Sequence, residues 1–126
     1  MTLRVLLADD DADVLAALEA LLATDSDLEV VAAVTDGYAA EERAVALSPD
    51  VLVLDVRMPG SGPALVSRLR TAVPTVTIVC FSADRGSRQM MLAAGAHAFA
   101  DKADPRIDLI TVLKSTHRAT PGTKPA

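Results

Sequence analysis

Near the middle of the chain an uninterrupted apolar run, Val51-Leu52-Val53-Leu54, lies between Asp50 and Asp55. It is too short for a helix and rich in β-branched residues, which marks a strand covered by protein on both faces, as in a parallel sheet. Asp55 stops the run, and Pro59-Gly60 then forces a turn. A carboxylate at the carboxyl end of a central parallel strand stands where open α/β sheets place their ligands.

The rest of the chain supplies the neighbours that such a strand needs. Leu3 to Ala8 reads as strand 1 and runs into Asp9-Asp10-Asp11. From Ala12 to about Ala23 the period is helical, with Val14, Leu15, Leu18, Leu21 and Leu22 on one face. Asp11 is a suitable N-cap for this helix 1, and Asp13 suits the positive end of its dipole. Leu28 to Val34 is strand 2, followed by Asp36-Gly37; Tyr38 to Leu47 is helix 2, with Ala40, Ala44 and Leu47 inward. Strand 3 is the opening run. Pro63 fits the first turn of helix 3, whose apolar positions are Leu65, Val66 and Leu69.

Thr75 to Phe81 reads as strand 4, ending in Ser82, and Asp84 to Ala94 as helix 4. Gly86 weakens the first turn, so a start after Ser87 is the alternative, and Gly95 is placed to end the helix in the left-handed region. Ala96 to Ala100 is strand 5, ending at Asp101-Lys102. Asp104-Pro105 reads as N-cap and first residue of helix 5, with Ile107, Ile110 and Leu113 or Val112 on its apolar face. From about Thr116 the composition is that of a linker and the chain is expected to fray. Five strand–helix units with right-handed crossovers give an α/β, flavodoxin-like doubly wound (βα)5 fold, its five-stranded parallel sheet in the order 2-1-3-4-5. The domain is expected over residues 1–118, with 119–126 a flexible tail or truncated linker.

Composition narrows the partners. With no Trp, one Tyr and two Phe, the core must be built from Val, Leu and Ala. No apolar run approaches the ~20 residues of a membrane span, and no signal-peptide pattern is expected at the start, because Arg4 is followed at once by a strand-like run. A lone cysteine, Cys80, excludes a disulfide framework and fits a reduced, cytoplasmic setting, where it reads as a small buried hydrophobe. The net charge of −5 hides an asymmetry: residues 1–63 carry 13 acids and 3 bases, residues 64–126 carry 4 acids and 9 bases. Direct contact with nucleic acid is not expected of such a chain, because phosphate contacts need clustered Lys and Arg.

In the expected sheet, the carboxyl ends of strands 1, 3, 4 and 5 bring Asp9-Asp10, Asp55, Ser82 and Lys102 to one edge. Uncompensated carboxylates repel and raise each other's pKa, so the site needs cations: Lys102 and a hard divalent metal. Mg²⁺ binds through one or two carboxylates plus water and phosphate oxygen. This is a set for phosphoryl transfer to a carboxylate, with Asp55 as nucleophile, Mg²⁺ on Asp10 and Asp55, and Lys102 and Ser82 on two phosphoryl oxygens. Each residue alone is a weak signal; it is their order and common edge that carry the reading.

Across residues 3–118 the chain resembles a receiver domain of a two-component response regulator. The pieces that match are Val-Leu-Leu-Ala-Asp-Asp-Asp (5–11), Pro-Asp-Val-Leu-Val-Leu-Asp-Val-Arg-Met-Pro-Gly (49–60), Phe-Ser-Ala (81–83) and Gly-Ala-His-Ala-Phe-Ala-Asp-Lys (95–102). Around Val30 to Gly37 it is most similar to receivers whose regulators carry a helix-turn-helix output, which implies transcription regulation. The resemblance implies that Asp55 accepts phosphate from the phosphohistidine of a sensor histidine kinase or phosphotransfer protein. It further implies Mg²⁺ on Asp10, Asp55 and the Arg57 carbonyl, with Asp9 acting through water, a switch pair of Ser82 and Phe99, and Lys102 on the phosphate. The readout would be the helix 4–strand 5–helix 5 face, and a homodimer would form there or through helices 1 and 5.

The chain departs from the family in three places. Ser61-Gly62-Pro63 looks one residue short and lacks the usual Asp; Ser82 to Gly95 is also shortened; and Ala103 follows Lys102 where many receivers have Pro. A cis non-Pro bond costs about 2.5–4 kcal/mol, so a trans Lys102–Ala103 peptide is expected. Arg57 and Asp84 either pair across the site or are both solvated. Two other functions are open at this point: a phosphorylation-independent interaction module on the same fold, and an aspartyl-phosphate phosphatase using Asp9 of Asp9-x-Asp11. A flavin module is disfavoured, since three Asp residues after strand 1 would repel its phosphate. In the leading reading the chain is not an enzyme beyond self-phosphorylation and autodephosphorylation, and the linker-like tail leans towards a piece of a longer regulator.

Overall fold

In the computed structural model, which describes residues 2–120, the strands are β1 (Leu3–Ala8), β2 (Leu28–Val34), β3 (Val51–Leu54), β4 (Thr77–Ser82) and β5 (Ala98–Asp101). The helices are α1 (Ala12–Leu22), α2 (Gly37–Leu47), α3 (Pro63–Ala72), α4 (Arg88–Ala94) and α5 (Leu109–Ala119). All strand pairs are parallel, and the sheet runs β2-β1-β3-β4-β5 as expected. β3 is central: Val51 to Leu54 pair with Val5 to Ala8 of β1 on one side and with Thr77 to Cys80 of β4 on the other.

Alternation along each strand divides the core in two. Leu6, Leu52, Leu54, Ile78 and Cys80 pack with Ala40 and Ala44 of α2, Leu65, Val66 and Leu69 of α3, and Met91 of α4. Val5, Leu7, Val51, Val53 and Val79 point the other way, onto Leu15, Leu18 and Leu22 of α1 and Leu109 and Leu113 of α5. This two-sided cover is why β3 reads as a continuous apolar run. Among the described residues no helix is long and apolar enough to cross a membrane.

The helix starts follow capping chemistry. Asp11 accepts the N–H groups of Asp13 and Val14 at 2.9 and 3.3 Å, and Asp36 accepts that of Ala39 at 2.7 Å. Helix 4 takes the shorter alternative: a single 3₁₀ turn, Arg85–Ser87, precedes a seven-residue α4 in which Met91 is the buried residue. Gly95 ends it at φ 123°. Ala96 N–H still bonds back to Met91 O at 3.0 Å, so β5 begins at Ala98 rather than Ala96. Val76 N–H bonds Val73 O at 3.0 Å, which holds Pro74 and Thr75 in a turn and delays β4 to Thr77.

Helix 5 needs correction. It starts at Leu109 with Asp108 as N-cap, and Asp104 instead accepts the Arg106 N–H at 2.9 Å in a separate turn. The two caps are locally equivalent; the register from Leu109 is the one that buries Leu109, Leu113 and His117. Nor does the chain fray at Thr116, because α5 runs to Ala119 and the Thr120 hydroxyl bonds Thr116 O at 2.6 Å. The remainder of the expected tail, residues 121–126, lies outside the described residues.

His97 ties the entry of β5 to β4 twice. Its N–H donates to Ile78 O at 2.8 Å, and its ring Nδ1 accepts the Ile78 N–H at 2.9 Å. Burial, and then the Arg70 guanidinium, push the imidazole below its ordinary pKa of 6.5. A depressed pKa means that the fold holds the neutral ring, so its contribution is present above pH 6.5 and is lost as pH falls through the folded value. Urea denaturation of wild type and of His97→Asn, whose amide oxygen can take the same N–H without titrating, should diverge below about pH 6.5, with wild type falling more steeply. Parallel curves from pH 7.5 to 5.5 would remove His97 from the balance.

Candidate functional site

The acidic triplet after β1 is divided by geometry. Asp9 turns inward and is 2 % exposed, Asp10 faces solvent, and Asp11 is spent on capping α1. One oxygen of Asp9, Oδ1, accepts the Asp11 N–H at 2.9 Å, which holds the turn. Asp55 follows directly on β3 and is 6 % exposed. Its N–H donates to Ala8 O at 2.9 Å, and its Oδ1 accepts the Arg57 N–H at 3.3 Å. Oxygens of Asp9, Asp10 and Asp55 all lie within 4.8 Å of one another.

Lys102 arrives from the end of β5, its N–H on Ser82 O at 3.1 Å. Its ammonium hydrogen-bonds Asp9 Oδ2 and stands 3.6 Å from Asp55 Oδ1. The Phe81 ring lies beneath it, 5.8 Å from Nζ to centroid, within cation–π range. Burial raises the Asp55 carboxyl above its ordinary value; Lys102 opposes this, and the Asp9 and Asp10 charges add to it. The buried Cys80 thiol is pushed up to about 12, first by burial and then by Asp55, so it is inert at neutral pH. Three carboxylates with no His or Cys among them are hard oxygen donors, a set that suits Mg²⁺ and not a softer metal.

The remaining expected residues sit around this centre. Ser82 is 1 % exposed at the end of β4, and its Oγ accepts the Asp84 N–H at 3.1 Å, so it is engaged by its own loop and not by the acids. Phe99 pairs with Cys80 in the ladder and packs, half-buried, on the α2–α3–α4 side of the sheet, the side on which Cys80 also lies. Arg57 and Asp84 do pair, at 3.9 Å, with the arginine 74 % exposed, so the contact is worth little. Every peptide bond of the described residues is trans, Lys102–Ala103 included.

Two residues of the site were not expected. The Ser61 hydroxyl donates to Asp55 O at 2.7 Å. Gly37, at the start of α2, donates its N–H to Pro59 O at 2.7 Å, and a Cβ there would lie 2.2 Å from Gly60 O. In the sequence Ser61 registered as part of a shortened loop and Gly37 only as a residue between strand 2 and helix 2; neither signal pointed to the other end of its contact.

The Response regulator receiver domain family matches residues 5–114. A protein-glutamate methylesterase/protein-glutamine glutaminase of Bdellovibrio bacteriovorus is 36 % identical over 119 residues, covering 93 % of this chain and 34 % of that protein. The chain thus spans about a third of the length of the curated relatives it matches. The signal receiver domain of NarL from Mycobacterium tuberculosis superposes with a TM-score of 0.86 at 27 % identity, over 94 % of this chain and 98 % of that one. A DNA-binding response regulator of the LuxR family from Staphylococcus aureus gives 0.84 at 19 % identity, over 91 % and 98 %, a likeness of fold alone.

A carboxyl raised in the fold favours folding while it is protonated, and that favour is lost as pH rises through its folded pKa. Ionised Asp55 therefore destabilises the metal-free protein at neutral pH. Asp55→Asn should raise stability at pH 7 in chelator, with the gain shrinking as pH falls towards 3.8. Thermal melts of the two proteins across that range check this; an equal or lower melting temperature for the variant at pH 7 contradicts it.

Proposed function

The chain belongs to the response regulator receiver domain family, and on that footing we propose that it takes a phosphoryl group on Asp55 from the phosphohistidine of a sensor histidine kinase or phosphotransfer protein. Receiver domains act as phosphoacceptors rather than as conventional enzymes. The observation that carries the reading is the setting of Asp55: 6 % exposed at the end of the central strand, 3.6 Å from the Lys102 ammonium, and grouped with Asp9 and Asp10.

An oxygen of the Asp55 carboxylate attacks phosphorus, the P–N bond of the phosphohistidine breaks, and the departing imidazole takes up a proton. Asp10, Asp55 and the Arg57 carbonyl, with Asp9 through water, would hold Mg²⁺, which when bound offsets the charge of the phosphoryl oxygens. Lys102, already between Asp9 and Asp55, is the cation that takes one phosphoryl oxygen. The Ser82 hydroxyl gives up the Asp84 N–H and donates to another, and Phe99 turns into the space it leaves. α4 is the element best fitted to respond, since Met91 is its buried residue while Met90 is 58 % exposed.

The readout is therefore assigned to the α4–β5–α5 face, which controls an output domain or partner. A homodimer would use that face or α1 with α5. The Asp9 phosphatase reading loses ground, because Asp9 is held by Lys102 and by the Asp11 N–H.

Incubation with a small phosphodonor and Mg²⁺, followed by intact mass, should add one phosphoryl group to wild type. It should add none to Asp55→Asn and none in excess chelator. Uptake that survives Asp55→Asn would sink the assignment, and a protein that never takes up phosphate but binds partners unchanged would be the interaction module instead.

A further inference from the structure

Asp55 lies one residue beyond both ladders of β3, whose last pairs are Ala8 with Leu54 and Leu54 with Cys80. Its N–H is fixed on Ala8 O, but no ladder extends to its C=O. That oxygen takes the Ser61 hydroxyl at 2.7 Å across six residues of loop. The loop has other anchors: Ser61 N–H on Met58 O at 3.1 Å, and Gly37 N–H on Pro59 O at 2.7 Å. The hydroxyl is thus not what closes the loop. What it fixes is the peptide plane between Asp55 and Val56.

That plane sets where the next N–H groups stand relative to the carboxylate. The side chain of Asp55 is held lightly, by the Arg57 N–H at 3.3 Å and by Lys102 at 3.6 Å. A rotation about the Asp55 Cα–C bond carries Arg57 with it and removes the donor that selects the carboxylate's rotamer. The loop that looks one residue short and lacks an acid therefore has its own device.

We infer that Ser61 is a positioning residue for phosphorylation: by donating to the Asp55 carbonyl it holds the Arg57 N–H against Oδ1 and so aims the nucleophilic oxygen. This rests on Asp55 being the phosphoacceptor. A misaimed nucleophile slows the bond-forming step and leaves the encounter with the phosphodonor unchanged.

The test compares Ser61→Ala, Ser61→Cys and Ser61→Thr with wild type, using a small acyl phosphate and Mg²⁺, intact mass against time, and melting temperature alongside. Cys keeps the shape of Ser, slightly enlarged, but donates weakly, and Thr keeps the hydroxyl. The maximal rate should fall about tenfold in the Ala and Cys variants, with the half-saturating phosphodonor concentration unchanged and Thr within about twofold of wild type. Phosphorylation of wild type on Asp55 with an equally fast Ser61→Ala overturns the positioning role alone. So does a Thr variant as slow as Cys, since packing and not the hydroxyl would then matter. If Ser61→Ala fails to fold, the Cys and Thr pair decides. Wild type that takes up no phosphate overturns this role and the phosphoacceptor reading together.

Discussion

The carboxylates of Asp9 and Asp55 are held in a crevice from which most water is excluded, and the ammonium of Lys102 makes that arrangement tolerable. The sheet brings the acids together whether or not their charges agree, because β1 and β3 are neighbours and each is followed directly by an Asp. Moving ionised carboxylates out of water is costly unless they are paired and hydrogen-bonded. Lys102 divides its contacts between the two, the Phe81 face lies beneath it, and the Asp11 N–H takes the other oxygen of Asp9. The compensation is incomplete: Asp55 keeps a raised pKa, and a carboxylate so placed stands to gain from a further cation.

The same pairing accounts for the uneven spread of charge along the chain. The fold uses much of the asymmetry internally. Lys102 meets Asp9, Lys114 meets Asp25 and Asp27 at 2.6 and 3.2 Å, and Arg68 meets Glu41 at 3.1 Å. Each contact joins a base of the second half to an acid of the first. Exposed pairs contribute only about 0–1 kcal/mol apiece, but together they favour this assembly of the halves over one that sets like charges side by side.

The sheet, its order and the residues along its carboxyl edge were legible because they depend on local pattern: a strand that is apolar throughout, then an acid, a serine or a lysine where it stops. The misreadings came where two local signals were equally good and a distant contact chose between them. Asp104-Pro105 and Asp108 are both sound helix starts, and the choice was made by Leu109 and Leu113 reaching the core under β1, β3 and β4. The first residues of β4 and β5 depend on which N–H groups the preceding turns retain. Ser61 and Gly37 were opaque for a related reason. Their importance lies in an Asp55 carbonyl and a Gly60 oxygen that the sequence alone does not place beside them.

The contact of Gly37 with Gly60 has a consequence for how such a chain can change over generations. The start of α2 is pressed against the loop after β3 so closely that even a methyl group has no room, while the Tyr38 ring lies over Gly60 from the same turn. Position 37 and the length of that loop are thus a single inherited variable. A residue gained after Gly60 would lift the loop and open position 37 to other amino acids. With the loop at its present length, drift at position 37 is closed, although the residue lies far from Asp55 in the sequence.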